Sequence, residues 1–298
     1  MASAAQVTAI DAAPGAMDHA ERRLRQLESS WSRFIDTSDI SRINQLPGRW
    51  VPVAEDTIRL VDTMQRAHHA TGGRFDPTCL YQLLSIGYSS SIDDPDRYTL
   101  AVDAPTNGAS VHDVETDRSA GAVRAPLGVA LDPGGIGKGL AADIVVTELL
   151  AAGTGGVLVS IGGDIAAAGE PPTDDGWIID VGHPVQTDDT VTTLAVSDGG
   201  IATSSTRSRR WDFGGSEHHH LIDPTSGRES LTDLASVTVV ANAGWLAEAH
   251  ATSALLCGSE HVIDHLDARR LAGVAVTAHG RVTATAGLDV RTPQGLRS

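Results

Sequence analysis

The sequence predicts an α+β fold, with mixed β-sheets and packed helices, organised as a single domain over residues 1–298. Helical periodicity dominates the first third of the chain. Short apolar runs bounded by Gly, Pro or Asp lie mostly in the second half, with helical segments interspersed among them. Because these strands and helices do not alternate regularly, the pattern favours an α+β architecture over a βαβ repeat.

Each element follows from a local pattern. Weak alternation predicts a strand at residues 6–11, and apolar residues from Met17 to Phe34 recur every three or four positions, which predicts the first helix. The Gly72-Gly73 pair is expected to end a second helix. Helices are predicted at residues 17–34, 55–70, 140–149, 245–256 and 260–271. Further strands are predicted at residues 129–131, 157–161, 177–181, 191–196, 201–203, 220–222, 237–241 and 274–277.

The composition argues against several classes of partner. The formal net charge is −16, whereas nucleic acids and anionic membranes favour basic surfaces, so we expect neither as the main partner. No uncharged apolar run approaches the ~20 residues needed to cross a bilayer. The N-terminus also lacks the basic and apolar regions of a signal peptide. We therefore expect no membrane insertion and a cytoplasmic location.

The two cysteines, Cys79 and Cys257, match neither a metal-ligand spacing nor a disulfide framework, and we expect both to be buried.

The most informative stretch is the glycine segment, residues 131–143, which reads Leu-Asp-Pro-Gly-Gly-Ile-Gly-Lys-Gly-Leu-Ala-Ala-Asp. Glycines let peptide N–H groups approach an anion, a helix start adds its positive end, and Lys138 adds a full charge. Two known phosphate motifs do not fit. A Walker loop would need Gly at position 132, and a dinucleotide fingerprint would need two residues between Gly137 and Gly139. The segment therefore predicts a phosphate ligand on a different scaffold.

Three further turns offer groups that suit a nucleotide. Gly162, Gly163 and Asp164 end an apolar run, where the carboxylate could accept hydrogen bonds from a ribose or an adenine amine. A proline-fixed turn spans residues 75–78, and the hydroxyls of residues 203–205 could meet phosphate oxygens. Taken alone, each is ordinary turn chemistry.

Two other groups suggest acid–base and metal chemistry. A histidine of residues 218–220, entering a strand that ends in Asp-Pro, suits a general base, although a polar loop of inert histidines is an equal reading. Successive strand residues point to opposite faces, so the three histidines cannot all bind one metal ion. Glu248 and Thr252, four apart in a helix, share one face and offer oxygen ligands suited to Mg²⁺. For this pair alone, an exposed helix face is the commoner explanation.

Taken in order, these segments resemble the ApbE family, the FAD:protein FMN transferases, over nearly the whole chain. Residues 1–3 resemble the family's Met-Gly-Thr, and residues 38–44, Ser-Asp-Ile-Ser-Arg-Ile-Asn, resemble its Ser-Glu-Leu-Ser-Arg-Phe-Asn. The matching motifs that follow are residues 75–78, 131–139, 160–164, 202–204, 219–227 and 247–252.

The resemblance implies Mg²⁺-dependent transfer of FMN from FAD to a threonine hydroxyl of a target flavoprotein, with release of AMP, at an FAD site between the two halves of the fold. It implies catalytic roles for His220, as the base, and Lys138. The metal ligands would be Glu248, Thr252 and the backbone carbonyl of Gly137. The implied FAD-binding residues are Phe34, Phe75, Asp76, Pro77, Gly134, Gly135, Ile136, Lys138, Gly139, Asp143, Gly162, Gly163, Asp164, Thr203 and Ser204.

Three positions depart from the family pattern. Glu248 stands where the family has the metal-binding aspartate, Ser205 replaces a glycine, and Gly137 replaces an alanine. Two alternatives stay open, and the longer side chain at position 248 favours the second of them, because Mg²⁺ demands near-ideal ligand geometry. One is an FAD pyrophosphatase that yields FMN and AMP. The other is an FAD-binding protein without catalysis. A nucleoside-triphosphate hydrolase is disfavoured because no Ser or Thr follows Lys138.

Overall fold

The computed structural model describes residues 3–92, 94–105, 108–186 and 189–288. Met1 and Ala2, which belong to the first motif quoted above, lie outside the described residues. The helices are α1 Ala16–Trp31, α2 Asp39–Gln45, α3 Glu55–Ala70, α4 Leu80–Ser85, α5 Gly137–Ala151, α6 Gly244–Leu255 and α7 Val262–Asp267, with a 3₁₀ turn at Val111–Asp113.

The strands are short, and most follow residue 150. They are β1 Ala5–Ile10, β2 Val51–Pro52, β3 Glu115–Asp117, β4 Ala122–Arg124, β5 Gly156–Ile161, β6 Asp164–Gly169, β7 Trp177–Gly182, β8 Thr190–Val196, β9 Gly199–Ser205, β10 Arg210–Phe213, β11 Ser216–His219, β12 Ile222–Asp223, β13 Arg228–Glu229, β14 Leu234–Ala241, β15 Ala272–Thr277 and β16 Val282–Ala284. The chain divides into two compact units.

One unit contains the described residues of 4–20, 138–208 and 231–288. Its centre is an antiparallel sheet with the strand order β1-β5-β6-β9-β14-β15-β16. Helix α6 packs against β9 and β14, and an apolar cluster that includes Leu158, Ile201 and Val276 packs against the hairpin of β7 and β8. The central strands of this sheet are covered on both faces. Strand β14 is therefore buried along almost its whole length, and its sequence is mostly apolar.

The other unit consists mainly of residues 21–137 and 209–230. It holds α2, α3 and α4, a small sheet with the order β2-β4-β3, and the hairpins β10–β11 and β12–β13. Helix α3 buries Ile58, Val61 and Met64, as its helical spacing predicts. Ser38 caps α2 by accepting a hydrogen bond from the Ser41 N–H at 3.1 Å.

Most predicted elements are confirmed, including the helix at residues 55–70 and the strands that form β1, β5, β7, β8, β9, β14 and β15. The strand predicted at residues 129–131 was wrong. The Leu131 backbone instead pairs with the side chain of Asn44, which accepts from the Leu131 N–H at 2.7 Å and donates to its carbonyl at 2.8 Å. Because the Asn44 side chain occupies both backbone groups of Leu131, this apolar run does not pair with a neighbouring strand.

Three other predicted elements are shorter or interrupted, and the first of them, the helix predicted at residues 17–34, ends at Trp31. The helix predicted at residues 260–271 ends at Asp267, and Arg270 then adopts a φ of 56°, which a helix cannot continue through. The strand predicted at residues 220–222 is broken, since β11 ends at His219 and β12 begins at Ile222.

Across the described ranges, no helix combines the length and the apolar character that a membrane span requires. Cys79 and Cys257 form no disulfide bond in the described part of the chain, and the expectation that both are buried was wrong, since each is only partly buried.

Candidate functional site

The glycine segment is held in place before its helix begins. Asn44 binds both backbone groups of Leu131, and the Asp132 N–H donates to the Pro77 carbonyl at 2.8 Å. The carboxylate of Asp132 accepts from the Gly134 N–H at 2.9 Å, and the Gly137 N–H donates to the Pro133 carbonyl at 2.8 Å. The segment is therefore a fixed turn that leads directly into α5. This gives residues 44 and 77, both in the quoted motifs, a structural role.

Three glycines bring the start of α6 into close backbone contact with the start of α5 and with β9. A Cβ atom added at Gly139 would lie 2.6 Å from the Trp245 nitrogen, and one added at Gly200 would lie 2.5 Å from the Ala243 carbonyl carbon. A Cβ atom at Gly244 would lie 2.8 Å from the Gly139 oxygen. No larger residue fits at these positions without moving a backbone. Gly139, predicted as part of an anion cradle, thus has a packing role.

Lys138 meets two buried carboxylates in this unit. Its ammonium group contacts Asp164, at the start of β6, and lies 3.0 Å from Oε1 of Glu248 on α6. The two carboxylate side chains are 3% and 4% exposed. The Glu248 Oε2 accepts from the Gly139 N–H at 2.8 Å, while its Oε1 makes no hydrogen bond of acceptable geometry despite the nearby ammonium. A single positive charge here faces two negative charges, so the group retains an excess negative charge.

Hydroxyl groups of β9 and α6 complete the same cluster. The hydroxyl groups of Ser204 and Thr252 are 2.9 Å apart, and the Thr203 N–H donates to Oδ1 of Asp164 at 3.3 Å. The oxygens of Glu248, Asp164 and Thr252 are hard donors of the kind that Mg²⁺ prefers. Within the described ranges, no three His, Cys, Asp or Glu side chains are grouped so that they could hold a metal ion. Of the three predicted metal ligands, only Glu248 is a side chain of these four types. The suitability of the cluster for Mg²⁺ therefore depends on the chemistry of its oxygen atoms.

Asp143 is engaged within the protein. Its two oxygens accept from the Gly244 N–H at 2.8 Å and from the Trp245 N–H at 3.0 Å. These N–H groups open α6, whose own cap residue, Ala243, makes no side-chain cap bond. Asp143 therefore caps α6 from α5, and it fixes the helix that carries Glu248.

The turn between β5 and β6 has the backbone that its glycines predict. Gly162 and Gly163 have φ values of 60° and 90°, in the left-handed region that favours glycine. Asp164 follows directly and points its carboxylate at Lys138. The predicted Gly-Gly-Asp motif thus delivers one of the two acids of the cluster.

The aromatic residues predicted for FAD lie in the other unit. The Phe34 ring lies 5.9 Å from the Tyr88 ring in an edge arrangement, and the Arg33 guanidinium lies 4.0 Å from the Phe34 centroid. Burial lowers the pKa of Arg33, and Asp132 at 3.5 Å partly offsets this. Phe75 is buried, while Asp76 accepts from the backbone and hydroxyl of Thr78 at 2.8 and 2.6 Å.

His220 lies in the bend between β11 and β12, in the unit that also holds the Asp-Pro-Thr-Ser-Gly turn. The residues on either side of His220 are held by hydrogen bonds. The His219 N–H donates to Oε1 of Glu229 at 2.6 Å, and the Leu221 carbonyl accepts from the Ser230 N–H at 2.9 Å. The backbone of His220 is thus fixed from both directions by adjacent residues of one segment.

The motif order and this geometry agree with one protein family. The ApbE family profile matches residues 1–277. The chain belongs to the ApbE family. It is 30% identical to the FAD:protein FMN transferase of Treponema pallidum over 256 residues, which cover 80% of this chain and 70% of that protein. An Escherichia coli protein of the same name is 29% identical over 146 residues, covering 49% of this chain and 42% of its own length.

The fold comparison agrees with the family assignment. The ApbE protein of Thermotoga maritima superposes with a TM-score of 0.79 at 23% identity, covering 94% of this chain and 92% of that one. The α+β prediction is therefore confirmed. As a member of the ApbE family, the chain is a transferase.

Sequence reasoning on this ApbE member missed several residues that build the site. Asn44 lay inside a quoted motif but received no role, although an asparagine in a motif is a signal for backbone binding. Gly200 and Gly244 were not singled out, and no local signal distinguishes them from the other glycines. Glu229 lies just beyond the Asp-Pro-Thr-Ser-Gly motif and was also missed.

Proposed function

We propose that this protein transfers the FMN moiety of FAD to a threonine hydroxyl of an acceptor flavoprotein, releases AMP, and depends on Mg²⁺. The observation that carries the proposal is the buried cluster of Lys138, Asp164 and Glu248 beside the Ser204–Thr252 hydroxyl pair. The relatives named above are FAD:protein FMN transferases, which supports FAD as the substrate and a flavoprotein as the acceptor.

The cluster suits a pyrophosphate and a divalent cation together. Its two carboxylates and one ammonium leave an excess negative charge that a hard cation would balance. Glu248 and Thr252, with the carbonyl of Gly137, would hold Mg²⁺, which supplies charge neutralisation at phosphoryl oxygens. Lys138 would then exchange carboxylate oxygens for phosphate oxygens, since both are acceptors for its three N–H donors.

The glycine segment would bind the phosphates through its backbone. Asn44 and Pro77 fix the turn before α5, and the N–H groups of Gly134, Gly137 and Gly139 would exchange their present acceptors within the protein for phosphate oxygens. The helix start adds a partial positive charge at the same end. Thr203 and Ser204 would add hydroxyl donors, and Phe34 would stack on the adenine.

His220 would act as the general base. It takes the proton of the acceptor threonine hydroxyl while that oxygen attacks the FMN phosphorus in line. The new oxygen–phosphorus bond forms as the bond to the AMP phosphate breaks, so AMP leaves with the electron pair of that bond. The fixed backbone at His220 keeps the imidazole aligned, and alignment and charge stabilisation supply most of such a rate enhancement.

A coupled assay tests this function. The chain is incubated with FAD, Mg²⁺ and an acceptor flavoprotein that carries an accessible threonine motif. AMP is measured by chromatography, and covalent flavin by the mass of the acceptor. We expect both to appear in equal amounts and to vanish with a chelator. AMP and free FMN without a labelled acceptor would instead identify an FAD pyrophosphatase. Bound FAD that survives incubation without AMP release would identify a binding protein.

Two variants test the assigned roles. Glu248→Ala should abolish metal-dependent turnover while FAD binding stays measurable, because the carboxylate is assigned to the metal. His220→Ala should slow the transfer with little change in FAD affinity, because the imidazole is assigned only to the acceptor proton. Normal turnover by His220→Ala would remove the base assignment.

A further inference from the structure

Glu229 connects two β-hairpins at the residues that precede His220. It lies on β13, opposite Ile222 of β12. Its Oε2 lies 2.8 Å from Nδ1 of His218, and its Oε1 accepts from the His219 N–H at 2.6 Å. The side chains of Glu229 and His218 are 23% and 19% exposed, so water screens this contact only partly. One carboxylate thus binds both residues directly before His220.

The same carboxylate also lies beside the His219 ring. Nδ1 of His219 accepts from the Leu221 N–H at 3.2 Å, which leaves the ring proton on Nε2. That nitrogen lies 3.6 Å from Oε1 of Glu229. Burial lowers the pKa of His219, and the charge of Glu229 opposes this shift. Arg210, across the hairpin, adds to the lowering.

The far side of the His218 ring is held by aromatic residues. Its centroid lies 6.3 Å from the Trp211 ring at an interplanar angle of 26°, and Trp211 stacks on Tyr88 with centroids 4.7 Å apart. The Trp211 Nε1–H also donates to the Ile86 carbonyl at 2.7 Å. His218 is therefore fixed between a carboxylate and an aromatic stack, and the end of β11 has little freedom.

The next residue after Glu229 completes the arrangement. The Ser230 N–H donates to the carbonyl of Leu221, the residue directly after His220. Residues 229 and 230 thus bind backbone groups of the two residues that flank His220.

We propose that Glu229 is a positioning residue for His220: its carboxylate locks His218 and His219, and thereby sets where the proposed base meets the acceptor hydroxyl. This inference rests on the proposed function. Glu229 itself has no contact with the reacting atoms in this scheme. Its role predicts an effect on the rate of transfer and on the state of the neighbouring imidazole, with no effect on FAD binding.

The test compares Glu229→Gln and Glu229→Ala with the wild type. Glu217→Gln is the matched control, since Glu217 lies on the same hairpin and pairs with Arg210 at the exposed surface. We expect kcat for FMN transfer to fall about 10-fold to 100-fold in Glu229→Ala, by misalignment, and less in Glu229→Gln, which keeps an acceptor for the His219 N–H. The KM for FAD should stay unchanged, and Glu217→Gln should match the wild type.

A second readout separates positioning from general damage to the fold. NMR titration of the imidazole nitrogens should show a lower pKa for His219 in Glu229→Gln than in the wild type, because the opposing negative charge is gone. If Glu229→Gln and Glu229→Ala both kept the wild-type kcat, the inference would be overturned, whether or not the pKa of His219 changed. A wild-type protein that labels no acceptor would instead overturn the proposed function, and the inference with it.

Discussion

Gly139→Ala tests whether the close approach of α5 and α6 builds the site. The added methyl group would lie 2.6 Å from the Trp245 nitrogen, and ordinary van der Waals contact begins at 3.4 Å. The carbonyl group of Gly244 would lie closer still, so relieving these contacts requires a movement of about 1 Å between the two helix starts. Helix α6 carries Glu248, and Lys138 precedes Gly139, so the movement changes the distance between the ammonium and the carboxylate.

The energetic estimate has two opposing parts. Overpacking of this kind costs about 1–3 kcal/mol, whereas replacing a helical glycine by alanine gains about 1 kcal/mol. We expect a net loss of at most about 2 kcal/mol in stability. Activity should fall further, by about tenfold to 100-fold, because an error near 1 Å in a phosphoryl-transfer site removes alignment that the reaction needs. The signature of Gly139→Ala is thus a small loss of stability with a large loss of turnover.

The assay pairs thermal unfolding with AMP release from FAD. Gly182→Ala is the control, because a Cβ atom there meets nothing within 4 Å, and it should leave both readouts near the wild-type values. If Gly139→Ala melted at or above the wild-type temperature and turned over normally, the close glycine contact would be irrelevant to the site.

Three further outcomes follow from single groups. Asp143→Ala should lower stability by about 1–2 kcal/mol in chemical denaturation, because two N–H groups of α6 lose their acceptor; an unchanged midpoint would contradict the capping role. Lys138→Met should destabilise the protein by about 3–5 kcal/mol, because two buried carboxylates lose their cation, and Mg²⁺ should raise its Tm more than that of the wild type. Burial lowers the pKa of His250 from 6.5 to about 4. Its neutral form therefore stabilises the fold fully above pH 6.5, and that contribution, at most about 3 kcal/mol, is lost as pH falls toward 4; His250→Gln should flatten this part of the stability profile, and an identical slope would exclude His250 as its source.

Local patterns predicted the features that depend on near neighbours along the chain. The spacing of Ile58, Val61 and Met64 defined the buried face of α3. Gly162 and Gly163 marked a turn that needs positive φ, and the structure has it. The four-residue spacing of Glu248 and Thr252 placed both on one helix, where both join the cluster around Lys138 and Ser204.

Local sequence patterns could not predict contacts between residues that are far apart along the chain. Asn44 binds Leu131 from 87 residues away, and this contact removes the strand that the apolar run at residues 129–131 predicted. Asp143 caps α6 across 101 residues, so a side chain expected to bind FAD has both oxygens in use. Periodicity reports only which face of an element is apolar, and it contains no information on which polar groups the fold will bring together.

The departure at position 248 has a physical explanation in the structure. One oxygen of Glu248 binds the N–H of Gly139 at the start of α5, and the other lies 3.0 Å from the Lys138 ammonium. The side chain thus contacts two consecutive residues of another helix while its own helix is held by Asp143. An aspartate would be shorter by one methylene and would reach less far from the same backbone. The extra length of Glu248 therefore suits the spacing between α6 and α5 in this chain, and the close glycine contact sets that spacing.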